Sequence, residues 1–138
     1  MNKKILHLEG IAGFAPLSRA YIQYRAEADL RGHSDDTEYG PDPTSSALYI
    51  MGRQNNVAAF MIYYKTACNC YQIHLAWTSE VYREMGLYKA LWAEIKDRAR
   101  QDGVYKIRSG THVDNKTMQK VYEKQGRKAR YIHYEIDV

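Results

Sequence analysis

Thr78-Ser79-Glu80-Val81-Tyr82-Arg83-Glu84-Met85-Gly86-Leu87-Tyr88, continued by Lys89-Ala90-Leu91-Trp92-Ala93-Glu94-Ile95, is the stretch on which the reading of this 138-residue chain turns. An apolar run from Tyr71 to Trp77 precedes it, with the β-branched and aromatic composition of a strand. A short turn carrying Arg83 and Gly86 follows. Leu87, Leu91, Ile95 and Ala99 then recur at i, i+4 spacing, the stripe of an amphipathic helix. A strand, a tight turn and a helix in that order can aim several backbone N–H groups at one anion, with the positive end of the helix behind them. Phosphate is the obvious candidate.

Upstream, Thr66 to Asn69 reads as a turn joining two strands, Val57 to Lys65 and Tyr71 to Thr78. The first is apolar on both faces, as a central strand is. In the second, Tyr71, Ile73, Leu75 and Trp77 alternate onto one face, with Gln72, His74, Ala76 and Thr78 on the other. Ala47 to Arg53 is a further strand, turned back through Gln54-Asn55-Asn56. Lys3 to Ile11 is a first strand or lead-in. Pro16 to Arg31 is a helix with Leu17, Ala20, Tyr21, Tyr24 and Ala28 near helical spacing, stopped by Gly32. Residues 33–46, with Asp35-Asp36, Glu38 and Gly40-Pro41-Asp42-Pro43, read as loop.

Downstream, the helix from Gly86 to Gln101 ends at Asp102-Gly103, and Val104 to His112 is a strand. Asp114 caps a helix running to about Gln125, which Gly126 ends. Tyr131 to Val138 alternates Ile132, Tyr134, Ile136 and Val138 against His133, Glu135 and Asp137, as a last strand would. Hairpins first and strand–helix–strand units later predict a single α/β (α+β) domain over 1–138. Its central sheet is mixed and mostly antiparallel, with helices on both faces.

Composition narrows the function classes. A hydrophobic fraction of 45% with 26% charged residues is that of a folded domain rather than a disordered chain. No apolar run approaches the roughly 20 residues a membrane helix needs, and the basic N-terminus lacks the long apolar core of a leader, so a cytoplasmic protein is expected. Cys68 and Cys70 are the only cysteines, and at that spacing they read as free thiols. A net charge of +4 suits an anionic ligand without naming one. Thirteen tyrosines read as fillers of half-buried sheet positions, where an apolar body and a polar tip are both useful. No metal-ligand spacing occurs; His33, Asp35 and Asp36 follow none. Lys116, Lys120 and Lys124 recur every fourth residue, the exposed face of a helix rather than a nucleic-acid site.

Arg83-Glu84-Met85-Gly86-Leu87-Tyr88 resembles the (Gln/Arg)-x-x-Gly-x-(Gly/Ala) pyrophosphate loop of the GCN5-related N-acetyltransferase superfamily. Tyr88 departs from it at the last position. A second anchor, Asn115 with Tyr122-Glu123-Lys124-Gln125-Gly126, resembles the superfamily's Asn-x-x-(x)-x-x-x-Tyr-Glu-Lys-x-Gly-Phe signature, with Arg127 in place of Phe. Together the anchors extend the likeness from about Ala47 to Val138. They imply the acyl-CoA N-acyltransferase-like fold and acetyl-CoA as co-substrate.

That resemblance carries roles onto particular residues. Backbone N–H groups of Arg83, Glu84, Met85, Gly86, Leu87 and Tyr88 would cradle the pyrophosphate, and Gly86 would let the backbone approach without a Cβ. Backbone groups near Ala76 and Thr78 would pair with the pantetheine arm and polarise the thioester carbonyl. Asn115 would hold the cofactor arm, although a turn or cap is its plainer role. Tyr122 would be the general acid, since a phenol near pKa 10 can return a proton to a thiolate. His74, or a chain of waters, would be the base, with His112 behind it. Asp35, Asp36 and Glu38 fall where the superfamily shapes its acceptor pocket and would attract a cationic amine, although a solvated polar loop is their plainer reading.

The expected activity is therefore acetyl transfer from acetyl-CoA to a primary amine, of a small molecule or a protein, by direct attack in a ternary complex. The alternative is an acyl-CoA-binding sensor or docking module without turnover, suggested by Gln72 in place of an acidic base and by Tyr88. No membrane or nucleic-acid partner is expected. The acceptor, the acyl preference and the choice between monomer and homodimer stay open.

Overall fold

The computed structural model describes residues 2–10, 15–32 and 44–138. Its elements are β1 (Ile5–Glu9), α1 (Ser18–Leu30), β2 (Ser46–Met51), β3 (Val57–Lys65), β4 (Cys70–Thr78), α2 (Leu87–Gln101), β5 (Lys106–Ser109) and α3 (Lys116–Lys124). Short 3-10 turns at Ala15–Leu17 and Glu80–Tyr82 lead into α1 and toward α2. The five strands lie in chain order, β1-β2-β3-β4-β5. The first four pair antiparallel, and β4 pairs parallel with β5. This is the mixed, mostly antiparallel sheet expected.

The sheet buries both faces. Beneath α2, Leu87, Leu91, Ile95 and Ala99 meet Leu48, Ile50, Met61, Tyr63, Tyr71 and Ile73. On the other face Leu17 and Ala20 of the α1 segment meet Ala47, Phe60, Ile62 and Trp77. β3 therefore sends apolar residues both ways, the reason it lacks polar alternation.

Three expectations need correction. Ile62 faces Leu75 while Tyr63 faces Ile73, so His74 is an extra residue, a β-bulge. Alternation inverts there: Tyr71 and Ile73 face α2, whereas Leu75 and Trp77 join the α1 side. Tyr131 to Val138 forms no strand. Its residues are exposed without ladder partners, Tyr134 at 89% and Ile136 at 85%. Alternation shows that a segment suits a pleated surface; only a paired edge makes it a strand. α3 is likewise capped one residue later than expected, by Asn115, whose Oδ1 accepts from the Met118 N–H at 3.1 Å.

The β2–β3 turn is tied to the loop before α2. Tyr82, buried, accepts from the Arg53 N–H at 2.9 Å and donates to Asn56 Oδ1 at 3.3 Å. A Cβ on Gly52 would lie 2.5 Å from Tyr82 Oη and 2.6 Å from Asn56 Oδ1, which is closer than real Cβ contacts come. Gly52→Ala must displace that phenol and loosen both hydrogen bonds. A loss of about 1–3 kcal/mol, or roughly 5 °C in Tm, is expected in thermal melts followed by circular dichroism.

Candidate functional site

The strand–turn–helix segment builds a left-handed corner. Gly86 has φ +78 and Glu84 has φ +64. Glycine accepts that conformation freely, while at Glu84 it costs of order 1 kcal/mol. Gly86 O accepts from the Ala90 N–H at 3.0 Å, so the helical ladder begins at Ala90. The N–H groups of Leu87, Tyr88 and Lys89 precede it at the positive end of a 15-residue helix. The Arg83 N–H, by contrast, is engaged with Glu80 O at 3.3 Å.

The Arg83 side chain turns away from the loop. Its Nε donates to Thr78 O at 3.1 Å, and its guanidinium pairs with Glu27 of α1 at 2.5 Å. Glu27 also accepts from Trp77 Nε1 at 3.3 Å. Arg83 thus fastens the turn to the end of β4 and to α1. A different cation stands at the corner: Lys3 Nζ lies 3.4 Å from where a Gly86 Cβ would be.

Beside this corner β4 loses its parallel neighbour. Pairing with β5 runs from Cys70↔Lys106 to Ile73↔Ser109 and stops, while pairing with β3 continues to Thr78. The Ser79 N–H donates to Ala58 O at 2.8 Å, toward β3. N–H and C=O directions alternate along a strand, so those of Ala76 and Thr78 point the other way, into the gap beyond β5. The bulge at His74 sits where the strands part, and His74 is exposed. Tyr122 reaches the same place from α3: its hydroxyl donates to Gly110 O at 3.3 Å, one residue past the last β5 pair.

A gap in a sheet, opening beside N–H groups at a helix start, has the shape and the unpaired donors that an extended ligand ending in phosphate requires. A family model described as the acetyltransferase (GNAT) family matches residues 14–126 of this chain. The chain belongs to the GNAT acetyltransferase family.

Solved structures, N-acetyltransferases among them, share its fold. A ribosomal-protein-alanine N-acetyltransferase from Brucella melitensis biovar Abortus 2308 is 20% identical, with TM-score 0.73 and 98% of each chain covered. The BH1408 protein of Bacillus halodurans is 14% identical, with TM-score 0.72, over 98% of this chain and 99% of that one. The aminoglycoside N-acetyltransferase AAC(6')-Iy, solved with CoA, is 16% identical, with TM-score 0.65, over 98% and 100%. No curated protein sequence matches the chain significantly.

The two departures from the GNAT motifs meet in space. The Tyr88 ring packs against the core beneath α2, and burial pushes its phenol pKa up. Its hydroxyl accepts from Arg127 Nη1 at 3.4 Å. The Arg127 guanidinium lies 4.0 Å from the centre of the Tyr122 ring and 4.4 Å from that of Trp92, and it also binds Ser109 Oγ. A flat cation stacked on two aromatic rings takes the place of the Phe that the GNAT motif carries. Tyr88 has turned its side chain away from the loop.

Periodicity gave no signal for Lys3 or Glu27, which approach from remote parts of the GNAT chain. Asp35, Asp36 and Glu38 lie outside the described residues. A cleft of about 380 Å³ among His7, Tyr63, Tyr71, Arg98 and Asp102 sits at the far end of α2. At 1.5 Å per residue, that is about 20 Å from the Gly86 corner. Among the described residues no helix is long and apolar enough to cross a membrane, and no cluster of three or more metal-ligating side chains occurs.

Proposed function

We propose that this chain is an acetyl-CoA-dependent N-acetyltransferase that passes the acetyl group directly to a primary amine while both substrates are bound. The observation that supports it most is the open side of β4 at Ala76 and Thr78, continuous with the left-handed turn at Gly86. In this reading the N–H groups of residues 84–88 hold the pyrophosphate, with Lys3 adding a charge beside them. The backbone of Ala76 and the N–H of Thr78, whose carbonyl already accepts from Arg83 Nε, pair with the pantetheine arm and polarise the carbonyl. Asn115 uses its side-chain oxygen on the α3 cap, so its amide N–H is the group available to the cofactor.

Proton handling falls to Tyr122 and His74. Exposed on the bulge, His74 or a water it orders takes the proton from the amine. Tyr122, its hydroxyl carried on Gly110, returns a proton to the leaving thiolate. Acidic Asp35, Asp36 and Glu38 are the acceptor-side residues of this proposal, and a small or exposed amine is the acceptor class.

Isothermal titration with acetyl-CoA and with CoA tests the reading. Micromolar binding is expected, followed by thiol release when an accepted amine is supplied. Absence of binding by either ligand would remove the assignment. Gly86→Val places a β-branched residue at φ +78 and puts its side chain toward the phosphate. It should weaken CoA by about tenfold or more, since the left-handed conformation alone costs such a residue about 1–2 kcal/mol.

A further inference from the structure

At the opposite end of β4 from Ala76 and Thr78 the chain holds its two thiols in contact. Cys68 Sγ and Cys70 Sγ are 3.6 Å apart across the β3–β4 turn. The turn is braced: the Thr66 N–H donates to Cys70 O at 2.8 Å, and the Cys70 N–H donates to Thr66 Oγ1 at 3.2 Å. Asn69, at φ +60, donates from its amide to Gly103 O at 2.9 Å, pinning the turn to the end of α2. The sulfurs differ in access. Cys68 is exposed and Cys70 is wholly buried. Around Cys68, Thr66 Oγ1 stands at 3.1 Å and the Arg108 guanidinium at 3.7 Å, and the Thr66 contact, then Cys70, draw its thiol pKa down.

We propose that this pair is a peroxide-reactive dithiol in which Cys68 is the attacking thiol and Cys70 the resolving one. The Cys68 thiolate attacks one peroxide oxygen; the O–O bond breaks, and the other oxygen leaves and is protonated to water or an alcohol. Cys68 is then a sulfenic acid. The Cys70 sulfur attacks it, the S–O bond breaks, the Cys70 proton leaves with that oxygen as water, and an S–S bond forms. Two thiols and one hydroperoxide become one disulfide, one alcohol or water, and one water. Closing a bond of about 2.05 Å from the observed contact takes about 1.5 Å of sulfur movement.

The geometry selects this outcome over its competitors. An exposed thiolate flanked by a hydroxyl and a guanidinium meets solvent oxidant first. The buried sulfur, closed to solvent, is in van der Waals contact with one neighbour that can be oxidised. Resolution within the turn should therefore precede over-oxidation or linkage to another chain. The inference is independent of the acetyl-transfer proposal, since six residues of strand, about 20 Å, separate Cys70 from Ala76.

The test treats the reduced full-length protein with a few equivalents of hydrogen peroxide, quenches with catalase, caps free thiols with N-ethylmaleimide and weighs the intact chain. A mass lower by about 2 Da without maleimide is expected. Cys70→Ala with dimedone present should yield one adduct, mapped to Cys68. Cys68→Ser, a change at an exposed position, should leave Cys70 reduced at the same dose. Arg108→Gln should slow the wild-type reaction several-fold. A chain that gains oxygen instead of losing hydrogen, that links into dimers, that stays fully capped by maleimide, or in which Cys68→Ser reacts as fast as wild type overturns the proposal.

Discussion

Replacing Tyr122 by Phe is expected to lower kcat by about 10²-fold, with CoA affinity and fold retained. The change removes one oxygen and nothing else of the ring. Arg127, 4.0 Å from the ring centre, keeps its aromatic partner, and the only described hydrogen bond lost is the one to Gly110 O at 3.3 Å. A structural role would show itself as a lower Tm; an acid role shows as a fall in kcat at constant KM, measured by thiol release. Unchanged turnover would move the proton donor elsewhere. If the wild-type protein binds CoA but no amine elicits thiol release, the binding-module alternative takes its place. His74→Ala completes the comparison: loss of rate on the same scale marks the base, and an unaltered rate assigns that step to water.

Leu91→Ala is expected to cost about 2–5 kcal/mol, lowering Tm by roughly 10 °C. Leu91 is fully buried midway along the α2 stripe, between Leu87 and Ile95, over the sheet at Met61 and Ile73. The helix cannot sink into the gap without separating its N-terminus from Thr78, to which Arg83 holds the turn. The missing volume should therefore persist as a cavity. Denaturant melts with an unchanged m-value would confirm a stability loss without a change of fold, and a cost below 1 kcal/mol would mean that the face repacks. Because α2 also presents the N–H groups at Gly86, CoA binding in this variant reports how far the corner depends on the core behind it.

Much of this was legible in the sequence, and the failures have specific causes. Val57 to Lys65 has the limits its sequence predicts, since a run apolar on both faces and bounded by turn residues leaves little choice. The α2 stripe was read residue for residue. The bulge at His74 was not, because period counting assumes one residue opposite one. Asp114 and Asn115 are both good caps, and only the reach of a side-chain oxygen to the Met118 N–H decides between them. At Arg127, which stands where the motif has Phe, the aromatic partners Trp92 and Tyr122 come from α2 and α3, and no local pattern pairs them with it. Lys3 near Gly86 and Glu27 on Arg83 are tertiary meetings over 83 and 56 positions, invisible to any local pattern. The family likeness rests on two motifs and survives both departures.

Strands laid down in chain order also set a timetable for folding. β2, β3 and β4 join through tight turns and can zip from those turns on the microsecond scale of hairpins. β5 can reach β4 only after the chain from Ser79 to Tyr105, helix included, has been closed into a loop. Where β4 and β5 part is therefore a boundary that exists only after the hairpins have formed. A chain caught before that step would already own its hairpins and most of its apolar sheet, yet lack the parted edge beside Ala76 and Thr78.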